Sequence, residues 1–168
     1  MFNSARGLMF LVGAYYFLQA IGGNPGLHTQ ALQKTAKELW HYSPTESAAF
    51  FAFLTIPWMI KPLYGIISDF FPIFRSRRKS YFILTAILAS ASYAAIAWLG
   101  FSDQVVKLLL FNAAIGIAFS DVLCDAVMVE RGQLLGITAR LQSAQWLALG
   151  VAGVIIAFVK GYIAEFYS

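Results

Sequence analysis

The sequence predicts an all-α fold: a polytopic membrane bundle of about five transmembrane helices. Three observations carry this. Hydrophobic residues make up 60% of the 168-residue chain, and its mean hydropathy is +0.69. Only 12% of residues are charged, where a soluble domain carries about 25%. The apolar residues also gather into five stretches, each near the ~20 residues that cross a hydrocarbon core.

The first stretch covers about residues 6–27. Arg6 before an apolar run, with small residues at Gly22 and Gly23, has the outline of a signal peptide. The run is too long for one and four more follow, so it reads as a retained span. Gly22-Gly23-Asn24-Pro25-Gly26 loosens its far end. The segment 28–42 is too polar to span. Leu32, Ala36, Leu39 and Trp40 recur in it at helical spacing, so it reads as an external extension or an interfacial helix. Trp40 and Tyr42 suit an aromatic belt.

Ser43-Pro44-Thr45-Glu46 is a helix-start signal, and the second span follows over about 47–69. Pro57 and Pro62 interrupt it, each removing a backbone donor and freeing the carbonyl four residues earlier, at Phe53 and Trp58. Such kinks serve either a helix that lines a cavity or ordinary packing. The third span covers about 80–100, the fourth 105–129 and the fifth 141–162. Ala86, Ala89, Ser90, Ala91 and Ser92 in the third, and Gly150, Ala152 and Gly153 in the fifth, allow close helix approach. Residues 1–168 thus read as a single membrane domain.

The net charge of +4 does not indicate a nucleic-acid partner, because the basic residues sit between apolar spans, where the positive-inside rule places them. Arg6, Arg75, Arg77, Arg78, Lys79, Arg131 and Arg140 fall on one side, seven against Lys34, Lys37, Lys107 and Lys160 on the other. The side with seven is cytoplasmic, and the N-terminus lies there. The single cysteine, Cys124, forms no intrachain disulfide and reads as a small apolar residue.

Three ionisable residues lie within the spans: Lys61 in the second, Asp121 and Asp125 in the fourth. Each costs at least ~2.5 kcal/mol to insert, and each normally faces a partner or a water-filled path. Lys61 precedes Asp69 by eight residues and Asp121 precedes Glu130 by nine, which places both roughly 12–13 Å from their cytoplasmic ends. Asp125 is one turn below Asp121 on the same face. The arrangement permits an ammonium on one helix to meet carboxylates on another. Substrate or proton handling and a purely structural ion pair both fit, and the two roles are compatible. On the fifth span Gln142, Gln145 and Trp146 share a face, fit either to hold a planar heterocycle or to bond and pack between helices. Tyr15, Tyr16 and Gln19 carry the same ambiguity in the first.

No zincin, nucleophile-elbow, P-loop or dinucleotide motif is present. His28 and His41 are too far apart to read as a metal site. No enzyme activity, cofactor or metal is expected.

Gly65-Ile66-Ile67-Ser68-Asp69 followed by a basic cluster resembles the loop between helices 2 and 3 of major facilitator superfamily transporters. The longer run from Trp58 to Asp69, then Pro72-Ile73 and Arg77-Arg78-Lys79-Ser80-Tyr81, is similar to the folate–biopterin transporter family. Ser120-Asp121-Val122 through Asp125 to Glu130-Arg131, and Leu141-Gln142-Ser143 with Trp146, continue that resemblance in order from Tyr16 onward. It implies the N-terminal portion of a carrier built from two six-helix halves that rock about a midplane site, with the sixth helix of this half absent from the 168 residues. It further implies a folate or pterin substrate. Asp121 or Asp125 would accept paired hydrogen bonds from the 2-amino-4-oxo edge of the ring. Lys61 would neutralise the carboxylates or bind an anionic tail, Gln142 would complete the polar lining, and Trp146 would stack on the ring. Asp69, Arg75, Arg77, Arg78, Glu130 and Arg131 would form a cytoplasmic gate. The implied partners are the lipid bilayer, the substrate, protons if a carboxylate carries them, and a second polypeptide supplying the missing helices. With no plastid-type leader ahead of the first span, a plasma membrane is the expected location. The competing expectation is a non-transporting membrane subunit whose intramembrane charges only join helices.

Overall fold

A computed structural model describes residues 4–23, 25–73 and 78–166, with side chains to residue 163. Among the described residues seven α-helices follow in order: α1 Ala5–Gly22, α2 Thr29–Glu38, α3 Pro44–Met59, α4 Lys61–Phe70, α5 Lys79–Leu99, α6 Asp103–Leu135 and α7 Thr138–Phe166. No strand occurs among the described residues. Among the described residues four stretches are long and apolar enough to cross a membrane: Pro44–Phe70, Lys79–Leu99, Asp103–Leu135 and Thr138–Ile163. The chain is an integral, multi-pass membrane protein of helical-bundle class. The expected first span, α1, is not one of those four. It has 18 residues, and Arg6 and Gln19 among them lower its hydropathy.

Helix ends follow local chemistry. The Ser4 hydroxyl accepts from the Gly7 amide to start α1, and Gly23, in extended backbone, ends it by donating to the Gln19 carbonyl. The helix therefore stops short of Leu27. Ser43 and Glu46 form a reciprocal capping box at the start of α3. The second span does break, but at Ile60 rather than at Pro57. Pro57 stays inside α3, whereas Pro62 falls in the first turn of α4, where a missing donor costs nothing.

Helix α6 has 33 residues, about 50 Å at 1.5 Å per residue. That exceeds a ~30 Å hydrocarbon core. Glu130 and Arg131, assigned from sequence to the end of a span and a loop, therefore lie on continuous helix. Gly136 closes α6 with φ of 65°. Ile137 donates to the Gly132 carbonyl and Gly136 to that of Gln133, a Schellman turn. Only Gly fits at 132: an added Cβ would meet Thr138 Oγ1 at 2.8 Å.

The chain forms two compact units, Ala31–Leu123 and the combination of Met1–Gln30 with Cys124–Ser168. In the second of these, α1 packs along α7. Leu8, Val12 and Tyr16, at i, i+4 and i+8, are the buried stripe of α1; Ala148, Ala152 and Ile156 are buried on α7. In the unit 31–123, Leu32 of α2 joins Phe50, Leu54, Ile96, Val106 and Leu110 in one apolar cluster. A second cluster holds Tyr64, Tyr81, Ala118, Phe119 and Leu123. The α5–α6 seam is close because of small residues. A Cβ at Gly116 would meet the Thr85 carbonyl at 2.7 Å, and the Thr85 and Ser120 hydroxyls bond at 2.6 Å.

Trp40 and Tyr42 act as a clamp within this unit. Trp40 Nε1 donates to the Phe101 carbonyl at 2.9 Å, and the Tyr42 hydroxyl donates to Asp103. Burial first, then that carboxylate, push the Tyr42 pKa up to about 12.

Candidate functional site

Lys61 opens α4 directly after the Ile60 break. Phe53 of α3 stacks on Phe111 of α6 with centroids 4.4 Å apart. Further along, Gly65 of α4 faces Val122 of α6, where an added Cβ would meet Cγ1 at 3.7 Å. Contacts advance together along both chains, so α3–α4 and α6 run parallel. This parallel course brings Lys61 Nζ to 2.5 Å from Asp121 Oδ2. The Asp121 side chain is 6% exposed and that of Lys61 33%. The ammonium also lies 4.4 Å from the Trp58 ring centroid, a cation–π contact that holds the charge against an apolar wall. The meeting of Lys61 and Asp121 that the spacing permits is therefore present.

Asp125 follows one turn later on α6. Within its own unit it accepts a hydrogen bond from the Tyr16 hydroxyl of α1. Tyr16 is only 1% exposed, and its ring meets that of Tyr15 edge to face. Sequence reasoning left Tyr16 undecided. Its one available signal was the i, i+4, i+8 spacing with Leu8 and Val12 that turns it inward. On α7 of the same unit Gln142 is exposed and Gln145 half-buried, while Trp146 is 71% exposed. The predicted Gln–Trp face thus points away from the buried stripe of α7.

At the far end of α4, Arg78 joins two consecutive residues. Its Nη2 lies 2.9 Å from Asp69 Oδ1, and its Nη1 donates to Ser68 Oγ at 3.2 Å. Tyr81 adds a bond from its hydroxyl to the Phe71 carbonyl at 2.7 Å. Together these fasten the ends of α4 and α5 across the connecting loop. Arg75 and Arg77 lie outside the described residues. Glu130 and Arg131 stand exposed on α6 in the other unit. Among the described residues no cluster of His, Cys, Asp and Glu could hold a metal.

The sequence profile of the BT1 family matches residues 22–168. The chain belongs to the BT1 family. Its similarity to curated members runs nearly end to end. It is 34% identical to the folate-biopterin transporter of Synechocystis sp. over 99% of this chain and 33% of that protein. It is 32% identical to the probable folate-biopterin transporter 4 of Arabidopsis thaliana over 95% of this chain and 33% of the relative. Folate transporter 2 of Plasmodium falciparum is 25% identical over 97% of this chain and 36% of its own length. This BT1 chain spans about a third of the length of the curated relatives it matches. No solved structure matches it.

Proposed function

We propose that this chain is the N-terminal portion of a facilitator-type carrier for folates or pterins. The observation that carries the reading is the Lys61–Asp121 pair, set between helices otherwise apolar enough to cross a membrane. Charges at that depth are costly and face partners or water-filled paths. A carboxylate can accept two parallel hydrogen bonds from an amino-oxo edge such as a pterin ring presents. Asp121 takes this part, with Asp125 as the second acceptor on its own unit. Lys61 holds Asp121 neutralised while no substrate is bound, and then binds an anionic tail or releases the carboxylate. Trp146 and Gln142, exposed on α7, are left for substrate or for the remaining helices of the carrier.

The same reading makes Asp69 and Arg78, with Arg75 and Arg77, part of a cytoplasmic gate that closes in one state and opens in the other. Glu130 and Arg131 belong to that gate as well. The N-terminus is cytoplasmic, the membrane is the plasma membrane, and α1 crosses it as a fifth span. If transport is coupled to protons, one of the carboxylates carries them. Alternating access needs two halves about a midplane site, so the remaining helices come from further sequence or a second polypeptide. The chain is a carrier component with no enzymatic step.

The test is uptake of labelled folic acid and biopterin by cells expressing this chain joined to the part of the Synechocystis relative that it does not match. Uptake above vector, lost in Asp121→Asn, is the expected result. Uptake that survives Asp121→Asn removes Asp121 from the site. A second reading is favoured by the near-complete burial of Asp121 in its pair: a non-transporting subunit in which the charges only join helices. In that case the fusion takes up neither compound, and the exchange Lys61→Asp with Asp121→Lys folds as well as the parent.

A further inference from the structure

Lys107 stands in the second turn of α6. It begins a stripe on that helix. Lys107, Phe111, Ala114, Ala118 and Asp121 follow at alternating spacings of four and three, which keeps them on one face. Ala114, Ala118 and Asp121 are buried and Phe111 is half-buried. Phe111 stacks on Phe53 and Asp121 meets Lys61, so the stripe faces α3 and α4. Leu108, the next residue along, is 60% exposed and turns outward.

Among the described residues no carboxylate lies within ion-pair distance of Lys107. Its natural partner is Asp103, four residues earlier, because opposite charges at that spacing are neighbours on a helix. That carboxylate instead accepts the Tyr42 hydroxyl. The Lys107 ammonium lies 5.2 Å from the Phe53 ring centroid, a contact that attracts the charge without neutralising it. A lysine that only sought water at a helix end would stretch its stem along the outer surface. Lys107 is half-buried and folded onto the α3–α6 seam. Lys61 differs, since its charge is already matched by Asp121. Fourteen residues separate Lys107 from Asp121, about 21 Å of helix, so Lys107 is a separate point of contact rather than part of that pair.

We propose that Lys107, lying over the Phe53–Phe111 stack, is a docking site for the carboxylate of an anionic solute. This rests on the carrier reading above. In the orientation given there, Lys107 is at the outer end of α6, where a solute arrives. Tyr42 withholds Asp103 from the ammonium, and the aromatic pair fixes where the ammonium sits, so an incoming carboxylate meets a positioned and unmatched charge. With the carboxylate held at Lys107, Lys61 is left to serve Asp121. The site distinguishes solutes by charge: folic acid ends in a glutamate with two carboxylates, whereas biopterin carries none.

Lys107→Met in the fusion with the Synechocystis relative tests this, with KM measured for uptake of folic acid and of biopterin. The expected result is a ratio of the folic acid KM to the biopterin KM raised about tenfold, as one charge-assisted bond is lost. Lys107→Arg, which keeps the charge, should hold the ratio near the parent value. An unchanged ratio in Lys107→Met overturns the proposal. A rise shared equally by both solutes also overturns it; a thermal midpoint that anionic lipid raises in the parent but not in the variant would then identify a lipid phosphate as the anion. Should Lys107→Met fail to fold, Lys107→Gln replaces it under the same criteria. A parent fusion that carries biopterin but not folic acid overturns the proposal while leaving a pterin carrier standing. If the parent folds and takes up neither compound, the carrier reading fails first, and the role of Lys107 falls with it.

Discussion

The ammonium of Lys61 stands 2.5 Å from a carboxylate oxygen of Asp121, sixty residues away in sequence, and the two side chains differ in exposure, 33% against 6%. Asp121 is thus the buried member and Lys61 the one with room to move.

Removing one partner of such a pair strands the other. Asp121→Ala should cost about 3 kcal/mol of stability, at the low end for buried pairs because Lys61 keeps some exposure. Lys61→Met combined with Asp121→Leu should recover most of that loss, since apolar replacements remove both desolvation costs. Thermal midpoints of the purified proteins in detergent decide it. A double variant as unstable as Asp121→Ala would show that the pair does more than neutralise charge.

The buried Tyr16 donates its hydroxyl hydrogen bond to Asp125, which is itself exposed. Tyr16→Phe keeps the ring and removes the donor, so the expected loss is about 0.5–1.5 kcal/mol, the net contribution of one hydrogen bond to an exposed residue. Denaturation in mixed micelles provides the measurement. No loss would mean that Asp125 is fully satisfied by other groups.

Two glycines on long helices should respond oppositely to alanine. At Gly116 a Cβ would meet the Thr85 carbonyl at 2.7 Å and the Ala89 amide at 3.1 Å, both backbone atoms that cannot step aside. Gly116→Ala should therefore cost about 1–3 kcal/mol. At Gly150 a Cβ meets nothing within 4 Å, so Gly150→Ala should stabilise by up to about 1 kcal/mol through helix propensity. Equal effects at both sites would refute the close α5–α6 seam.

Arg78 should matter more than its ion-pair partner. The Asp69 side chain is 50% exposed, so Asp69→Asn should change stability by less than about 1 kcal/mol. Arg78→Ala also removes the bond to Ser68, which is fully buried, and should cost about 1–2 kcal/mol. Under the gate reading both variants slow uptake in the fusion, and uptake at the parent rate in both would exclude these residues from gating.

His28 gives a pH dependence. Burial first, and the Lys160 ammonium second, hold its pKa below the usual 6.5, so the folded protein keeps the imidazole neutral. The unfolded chain takes up its proton first as pH falls. The His28 contribution is thus complete above 6.5 and declines from there until pH passes below the folded-state pKa. Thermal midpoints measured from about pH 7.5 to 5 should fall less steeply in His28→Asn than in the parent. Parallel curves would show that His28 is not the group responsible.

Much of this protein is set by local pattern. Long apolar runs, a low charge fraction and the Ser43–Glu46 capping box specify helices and where they start, because these effects act within a few residues. The matching heights of Lys61 and Asp121 on their helices were legible too, since the helical rise is fixed and the two residues meet. The break at Ile60 was only half legible. Two prolines announced it, but whether each falls inside a helix or in a first turn depends on where the next helix begins.

The sequence by itself determined an all-helical membrane chain with three ionisable residues inside its apolar stretches. Only the tertiary structure decided who meets whom. The parallel seam of α4 and α6 gives Asp121 to Lys61, while the packing of α1 on α7 gives Asp125 to Tyr16, and the face of α7 carrying Trp146 turns outward. Partner choice rests on helix register and rotation. Those are set by side-chain fit between segments far apart in the chain, such as Gly116 against Thr85 and Gly65 against Val122, and no local pattern encodes that fit.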